Sequence, residues 1–258
     1  EYAAMKLTLY LLFGSAFILV GILAHYVSAG SQSFSFLVFE SRQFDPVLQT
    51  WVFLAFYVGF GILAGIWPLH TWSPDGHASA PTAVSMLHAG VLMKLGAYGV
   101  VRLGMGLLPD ATVEWAWLVG GIACINIVYG ALSAMAQTDL KYVIAYSSVS
   151  HMGVVMLGAA TLTVTGLNGS VFQMFAHGIM TGLFFALVGL VYEKAHSREI
   201  FKMGGFGVMM PGIATAFTIG GLSSLGLPAT AGFVAEFLTF LRAWCSNYSW
   251  WLFPGGIG

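Results

Sequence analysis

The sequence predicts an all-α polytopic membrane protein, and three observations carry that prediction. Only 7% of its 258 residues are charged and 58% are hydrophobic, with mean hydropathy +0.85, whereas soluble domains carry about 25% charged residues. Seven apolar segments reach spanning length, which for a helix takes about 20 residues. Lipid offers no partner to exposed backbone N–H and C=O groups, so a chain that crosses it repeatedly does so as helices.

The segments run near 5–26, 48–69, 81–108, 113–136, 140–163, 167–193 and 208–245. The last is too long for one simple span and holds Gly226-Leu227-Pro228 at its middle. A proline there removes a backbone donor and breaks the helical ladder. The second segment ends in Trp67-Pro68-Leu69-His70-Thr71-Trp72-Ser73-Pro74 and is interrupted as well. Two interrupted segments, four helices apart, are the pattern of transporter bundles built from inverted repeats, although no letter-by-letter repeat is visible. Gly61-Xaa-Xaa-Xaa-Gly65 is expected to serve helix packing. Residues 1–258 read as a single membrane domain.

Lys6, Lys141, Lys194, Arg198 and Lys202 collect on one side, while Arg42 lies on the other with Arg102 and Arg242 near helix ends. The cation excess assigns the first side to the cytoplasm, and residues 27–47 form the longest polar connection on the opposite face. A net charge of −1 leaves no basic surface for nucleic acid. Cys124 and Cys245 lie in or beside apolar runs without metal-ligand spacing, so neither a metal site nor a disulfide framework is expected. Asn168-Gly-Ser and Asn247-Tyr-Ser fit the glycosylation pattern, to which little weight attaches in a chain of this kind. The chain opens without an initiator methionine or a charged leader, and it ends on a Gly-rich tail. It is expected to be the central piece of a longer membrane protein.

Chemistry concentrates in the few titratable groups inside the spans. Lys94 sits in the run 81–108 with no charge for seven residues on either side. Such a lysine costs roughly 3 kcal/mol on insertion scales, so it needs a partner, a hydrated cavity or a task. With it come His88, six residues earlier, His151 at the end of Ser147-Ser148-Val149-Ser150, His177 between Ala176 and Gly178, and Glu236 eight residues after Pro228. Histidine titrates near neutrality, and burial moves lysine and carboxylate groups toward that range, so such a set can pass protons in modest energetic steps. A lone membrane histidine commonly only hydrogen-bonds a neighbouring helix, and a lone lysine can be a static ion-pair partner. Five such groups beside two broken helices favour an ion pathway. Lys141 either caps a helix start beside Asp139 or gates proton entry. No nucleophile triad, metal-ligand set or phosphate loop is present.

Longer strings narrow the reading. His70-Thr-Trp-Ser-Pro-Asp-Gly-His77-Ala-Ser-Ala-Pro-Thr and Gly90-Val-Leu-Met-Lys94-Leu-Gly-Ala-Tyr-Gly resemble the antiporter-like subunits of respiratory complex I, NADH:quinone oxidoreductase. Gln137-Thr-Asp-Leu-Lys-Tyr-Val-Ile-Ala-Tyr-Ser-Ser-Val-Ser-His151-Met-Gly, Ala176-His-Gly and Tyr192-Glu-Lys-Ala-His-Ser-Arg make the M-type subunit the nearest resemblance, over nearly the whole chain. The resemblance implies an antiporter-like bundle corresponding to helices six to twelve of a fourteen-helix protein, multi-pass in the bacterial inner (plasma) membrane. It implies a translocase subunit that carries no redox cofactor and moves protons while quinone is reduced elsewhere in the complex. Its partners would be neighbouring antiporter-like subunits, the lipid bilayer and protons.

Carried over position by position, Lys94 matches the family's central lysine, His151 and His177 the histidines linking two half-channels, and Glu236 the terminal carrier on a broken helix. One position departs: where the family places a lysine seven residues before the motif histidine, this chain has Leu63. His88 stands where the family commonly has an apolar residue, and it is expected to supply the lost titratable site in the first half-channel. Three other readings share these features: a Mrp-type cation/proton antiporter subunit, a membrane-bound hydrogenase subunit, and a static scaffold whose buried charges are paired.

Overall fold

A computed structural model describes residues 1–30, 34–40 and 44–245; Arg42, Asn247 and the Gly-rich tail lie outside the described residues. Six helices are long and apolar enough to cross a membrane: α1 Tyr2–Ser28, α3 Pro46–Ala64, α5 Thr82–Met105, α6 Pro109–Met135, α7 Leu140–Ala160 and α8 Val164–Ala195. Shorter pieces complete the order, with α2 Phe36–Glu40 before α3, α4 Trp72–Ser79 after it, then α9 Phe206–Met209, α10 Pro211–Ser224 and α11 Ala231–Cys245 at the end. The seventh predicted segment is thus a broken pair, α10 and α11.

Local chemistry sets the helix starts. The Asp45 carboxylate accepts from the Val47 and Leu48 amides, and Asp139 accepts from Lys141 N at 2.7 Å. Thr163 Oγ1 accepts from Gly166 N at the start of α8. Each satisfies donors that a helix N-terminus otherwise leaves orphaned. Pro46, Pro109 and Pro211 occupy first-turn positions where their missing N–H costs nothing.

Both interruptions share one design. Gly65 at φ +74° ends α3 and Gly226 at φ +64° follows α10, with Pro68 and Pro228 close behind. Only glycine adopts that backbone at no steric cost. Gly65 is therefore a helix cap, and it also serves packing, since a Cβ there would meet Met93 Cε of α5 at 2.7 Å, whereas one at Gly61 would reach only Ile66 at 3.8 Å. The freed backbone groups find side chains: buried Trp72 donates its indole N–H to Ile62 O at 2.7 Å, and Asn126 Oδ1 accepts from Trp67 N at 2.9 Å. Asn126 also donates to Val149 O at 2.8 Å, tying the first break to α7. Such partners are what make irregular backbone tolerable at membrane depth.

Packing places α7 at the centre, between α6 and α8 and against α4 and α11, while α5 lies between α3 and α8. A Cβ at Gly96 would run into the Ala64 backbone, so α3 and α5 touch main chain to main chain. The core is aromatic and sulfur-rich around Phe53, Phe56, Trp72, Met93, Met152 and Met156. Lys6, Lys141 and Arg198 share one face through contacts with α4 and the residue after it: Lys6 Nζ to Asp75 at 2.7 Å, Arg198 to Ala78 O at 2.9 Å and Lys141 Nζ to Ala80 O at 2.7 Å. Arg102 pairs with Glu40 at 2.8 Å. Lys6, Lys141 and Arg198 thus gather as the charge count predicts. Asn168 lies within α8 beside buried Ser170, a helical setting unlike the exposed loop that glycosylation needs.

Candidate functional site

The site begins at a defect in α5. Two π-helical turns, His88–Leu92 and Val100–Met105, flank the segment that carries Lys94. Widened turns of this kind offset backbone carbonyls from the regular ladder and are frequent at functional sites. Here the Lys94 ammonium donates to Ala89 O, five residues back. Among the described residues Lys94, which is buried, has no carboxylate partner. The alternative of a static ion pair is therefore not formed among the described residues.

Lys94 borders an open apolar groove of ≈ 610 Å³ between α5 and α8, lined by the exposed side chains of Val91, Leu95, Phe175 and Ile179. The two helices approach closely at this level: a Cβ on Gly178 would lie 2.8 Å from Gly90 O and 3.9 Å from Lys94 Cε. His177 precedes Gly178 on α8 and is 1% exposed, and neither ring nitrogen has a hydrogen-bond partner among the described residues. Its ring centroid is 5.0 Å from that of His151 on α7.

His151 connects onward to the second broken helix. Its Nε2 lies 3.3 Å from Ser224 Oγ at the end of α10, and its Nδ1 lies 3.3 Å from Glu236 Oε1 on α11. Gln173, one turn before His177, places its Nε2 3.2 Å from His151 Nδ1 and 3.3 Å from Glu236 Oε1. Gly226 makes room for the carboxylate, since a Cβ there would meet Glu236 Oε2 at 2.7 Å. A cavity of ≈ 10 Å³ sits among these groups, on the order of the space one water needs.

His88 occupies the other flank of α5. Its ring centroid is 6.0 Å from that of His77 on α4, and its Nδ1 is buried without a partner among the described residues. His77 is fully buried, with Nε2 3.4 Å from Met93 Sδ, a sulfur that also receives the Ser73 and Ser148 hydroxyls at 3.6 and 3.5 Å. Lys141 stands apart from this set as a cation on Ala80 O, just beyond the last turn of α4, where cations are favoured.

The structure thus lines up Lys94, His177, His151 and Glu236 across α5, α8, α7 and α11, the first two buried and the last two half-buried. His77, Gln173, Ser224 and Asn126 escaped sequence reasoning as site residues. His77 carried a signal, a titratable side chain two turns beyond a break. Gln173 carried a weaker one, an amide four residues before His177 on the same helix face.

The description "NADH:quinone oxidoreductase/Mrp antiporter, TM" belongs to a family whose model matches residues 1–257. The chain is 42% identical over 259 residues to NAD(P)H-quinone oxidoreductase chain 4 1 of Synechococcus sp. (strain JA-3-3Ab), covering 100% of this chain and 49% of that protein. It is 41% identical over 246 residues to NADH-quinone oxidoreductase subunit M of Rickettsia typhi, covering 95% and 50%. A chain of respiratory complex I from Thermus thermophilus with bound NADH superposes with TM-score 0.92 at 32% identity, covering 97% of this chain and 54% of that one. The chain spans about half the length of the curated relatives it matches. On this agreement of sequence and fold, the chain belongs to the NADH:quinone oxidoreductase/Mrp antiporter family of transmembrane proteins.

Proposed function

We propose that this chain is the core of a proton-translocating, M-type membrane subunit of an NADH:quinone oxidoreductase complex. Its partners are neighbouring membrane subunits and the bilayer of a bacterial inner membrane. The observation that carries the proposal is the succession of buried and half-buried titratable groups from Lys94 past Gly178 to His177, His151 and Glu236, drawn from three spans and one broken helix. Static packing has no need of a lysine without a counter-ion, or of a histidine with two unpartnered nitrogens at membrane depth.

In this reading Lys94 receives the proton, the two imidazoles relay it and Glu236 releases it beside the Gly226–Pro228 break. His88, facing His77, takes the place of the lysine that Leu63 replaces. Lys141 acts from the membrane face, holding the end of α4 near His77 and setting the local charge at the entry side. Coupling is electrostatic: in a low-dielectric interior a charge change on one group is felt strongly by its neighbours. The chain itself carries no redox cofactor, and the driving reaction takes place elsewhere in the complex.

The test is Lys94→Ala in the intact complex, with quinone reduction and vesicle acidification measured together. Assembled complex that oxidises its donor without moving protons is the expected result. Undiminished proton translocation at the wild-type stoichiometry overturns the proposal.

A further inference from the structure

Gln173 contacts both members of the terminal pair at once. An amide nitrogen only donates, so its contact with His151 Nδ1 requires that nitrogen to be an unprotonated acceptor, with the ring proton on Nε2 facing Ser224 Oγ. The same NH₂ group has a second hydrogen for Glu236 Oε1, a carboxylate oxygen that only accepts. One amide NH₂ group is therefore shared between the imidazole and the carboxylate.

When a proton arrives on His151 Nδ1, two N–H donors point at each other and the amide contact is lost. The side chain already carries the acceptor that the protonated state needs: Gln173 Oε1 is buried, in a residue 2% exposed, and has no hydrogen-bond partner among the described residues. The small cavity lined by His151, Gln173, Ala176, His177, Ser223 and Glu236 adjoins it.

We infer that Gln173 is a positioning residue whose amide turns with the charge of His151, donating to the neutral imidazole and accepting from the protonated one. Resting on the relay proposed above, it makes transfer to Glu236 conditional. While the NH₂ group faces the pair, His151 Nδ1 and Glu236 Oε1 are held 3.3 Å apart by a shared donor. After the turn, Gln173 Oε1 accepts from Nδ1–H and holds the proton there; when the amide swings back, the Nδ1–H bond breaks as the Glu236 O–H bond forms. The groups facing His151 are Glu236 from α11, His177 and Gln173 from α8 and Ser224 from α10, with Lys94 on α5 beyond His177. Asn126 from α6 is committed to the Val149 carbonyl, and α4 presents His77 on the far side of Met93.

The experiment compares Gln173→Met, Gln173→Glu and Gln173→Asn in the whole complex, reading proton translocation against pH. Gln173→Met removes a donor from both the carboxylate and the imidazole lone pair, so each holds its proton more tightly. The profile is expected to move to higher pH by about one unit. Gln173→Glu adds a second anion and is expected to move it further, whereas Gln173→Asn keeps the amide and restores the wild-type midpoint at reduced rate. Equal losses of rate in Met and Glu variants with an unshifted profile overturn the inference. Glu236→Gln, measured alongside, separates the levels. If it pumps normally the relay itself fails, and if it fails to pump while the Gln173 variants keep the wild-type profile, only the role of Gln173 fails.

Discussion

His151 on α7 and His177 on α8 hold their ring centroids 5.0 Å apart with planes tilted by 35°, and this pair is the one imidazole–imidazole contact between the lysine and glutamate ends of the site among the described residues. His177 brings two buried, unpartnered nitrogens to the junction, and His151 brings the link to Ser224 and Glu236.

Replacing the middle of that pair should separate electron transfer from proton movement. His177→Leu, close in volume, is expected to lower proton translocation at least tenfold in vesicles while donor oxidation by uncoupled complex persists. The ratio of the two rates is the measurement.

If His88 stands in the proposed pathway for the lysine absent at Leu63, His88→Leu is expected to reduce translocation. A His88→Lys variant should retain more activity than the leucine variant. Normal pumping by His88→Leu would show that His88 only fills space beside His77.

Helix contact at the level of Lys94 depends on two glycines. Gly178→Ala places a methyl group 2.8 Å from Gly90 O, so α5 and α8 must separate. Overpacking of this kind costs about 1–3 kcal/mol. A lower midpoint of thermal unfolding, together with weakened translocation, is the expected pair of results.

Asn126 supports the first break through two hydrogen bonds. Asn126→Leu leaves the Trp67 amide without its acceptor and Val149 O without its extra donor. The Trp67 bond is part-buried, so its loss costs about 1 kcal/mol. Detergent-solubilised complex should lose this subunit at lower temperature than wild type, whereas Asn126→Asp, which preserves the acceptor, should lose less.

Gly226 combines two requirements, and Gly226→Ala violates both. The backbone at φ +64° disfavours a Cβ by roughly 1–2 kcal/mol, and the added atom meets Glu236 Oε2 at 2.7 Å. Displacing that carboxylate from His151 should impair translocation more than assembly, as judged by subunit content of purified complex.

The sequence by itself determined the helical membrane class, both breaks and the identity of Lys94, His151, His177 and Glu236 as buried titratable groups. Those features are local. A charge in a long apolar run, or a Pro–Gly interruption, announces itself within a few residues because lipid penalises it wherever it packs. Tertiary structure alone decided that Gln173 bridges His151 and Glu236, that His77 faces His88, and that Lys141 sits against the carbonyl just beyond the end of α4. It also decided that Lys94 turns to a carbonyl of its own widened helix rather than to a carboxylate. These helices are apolar nearly all round, since some faces meet lipid and others meet protein of similar polarity. No hydrophobic stripe in the sequence marks which face turns inward. Contacts between residues 22 to 73 positions apart therefore depend on how the helices cross, and close approach at glycines sets those crossings.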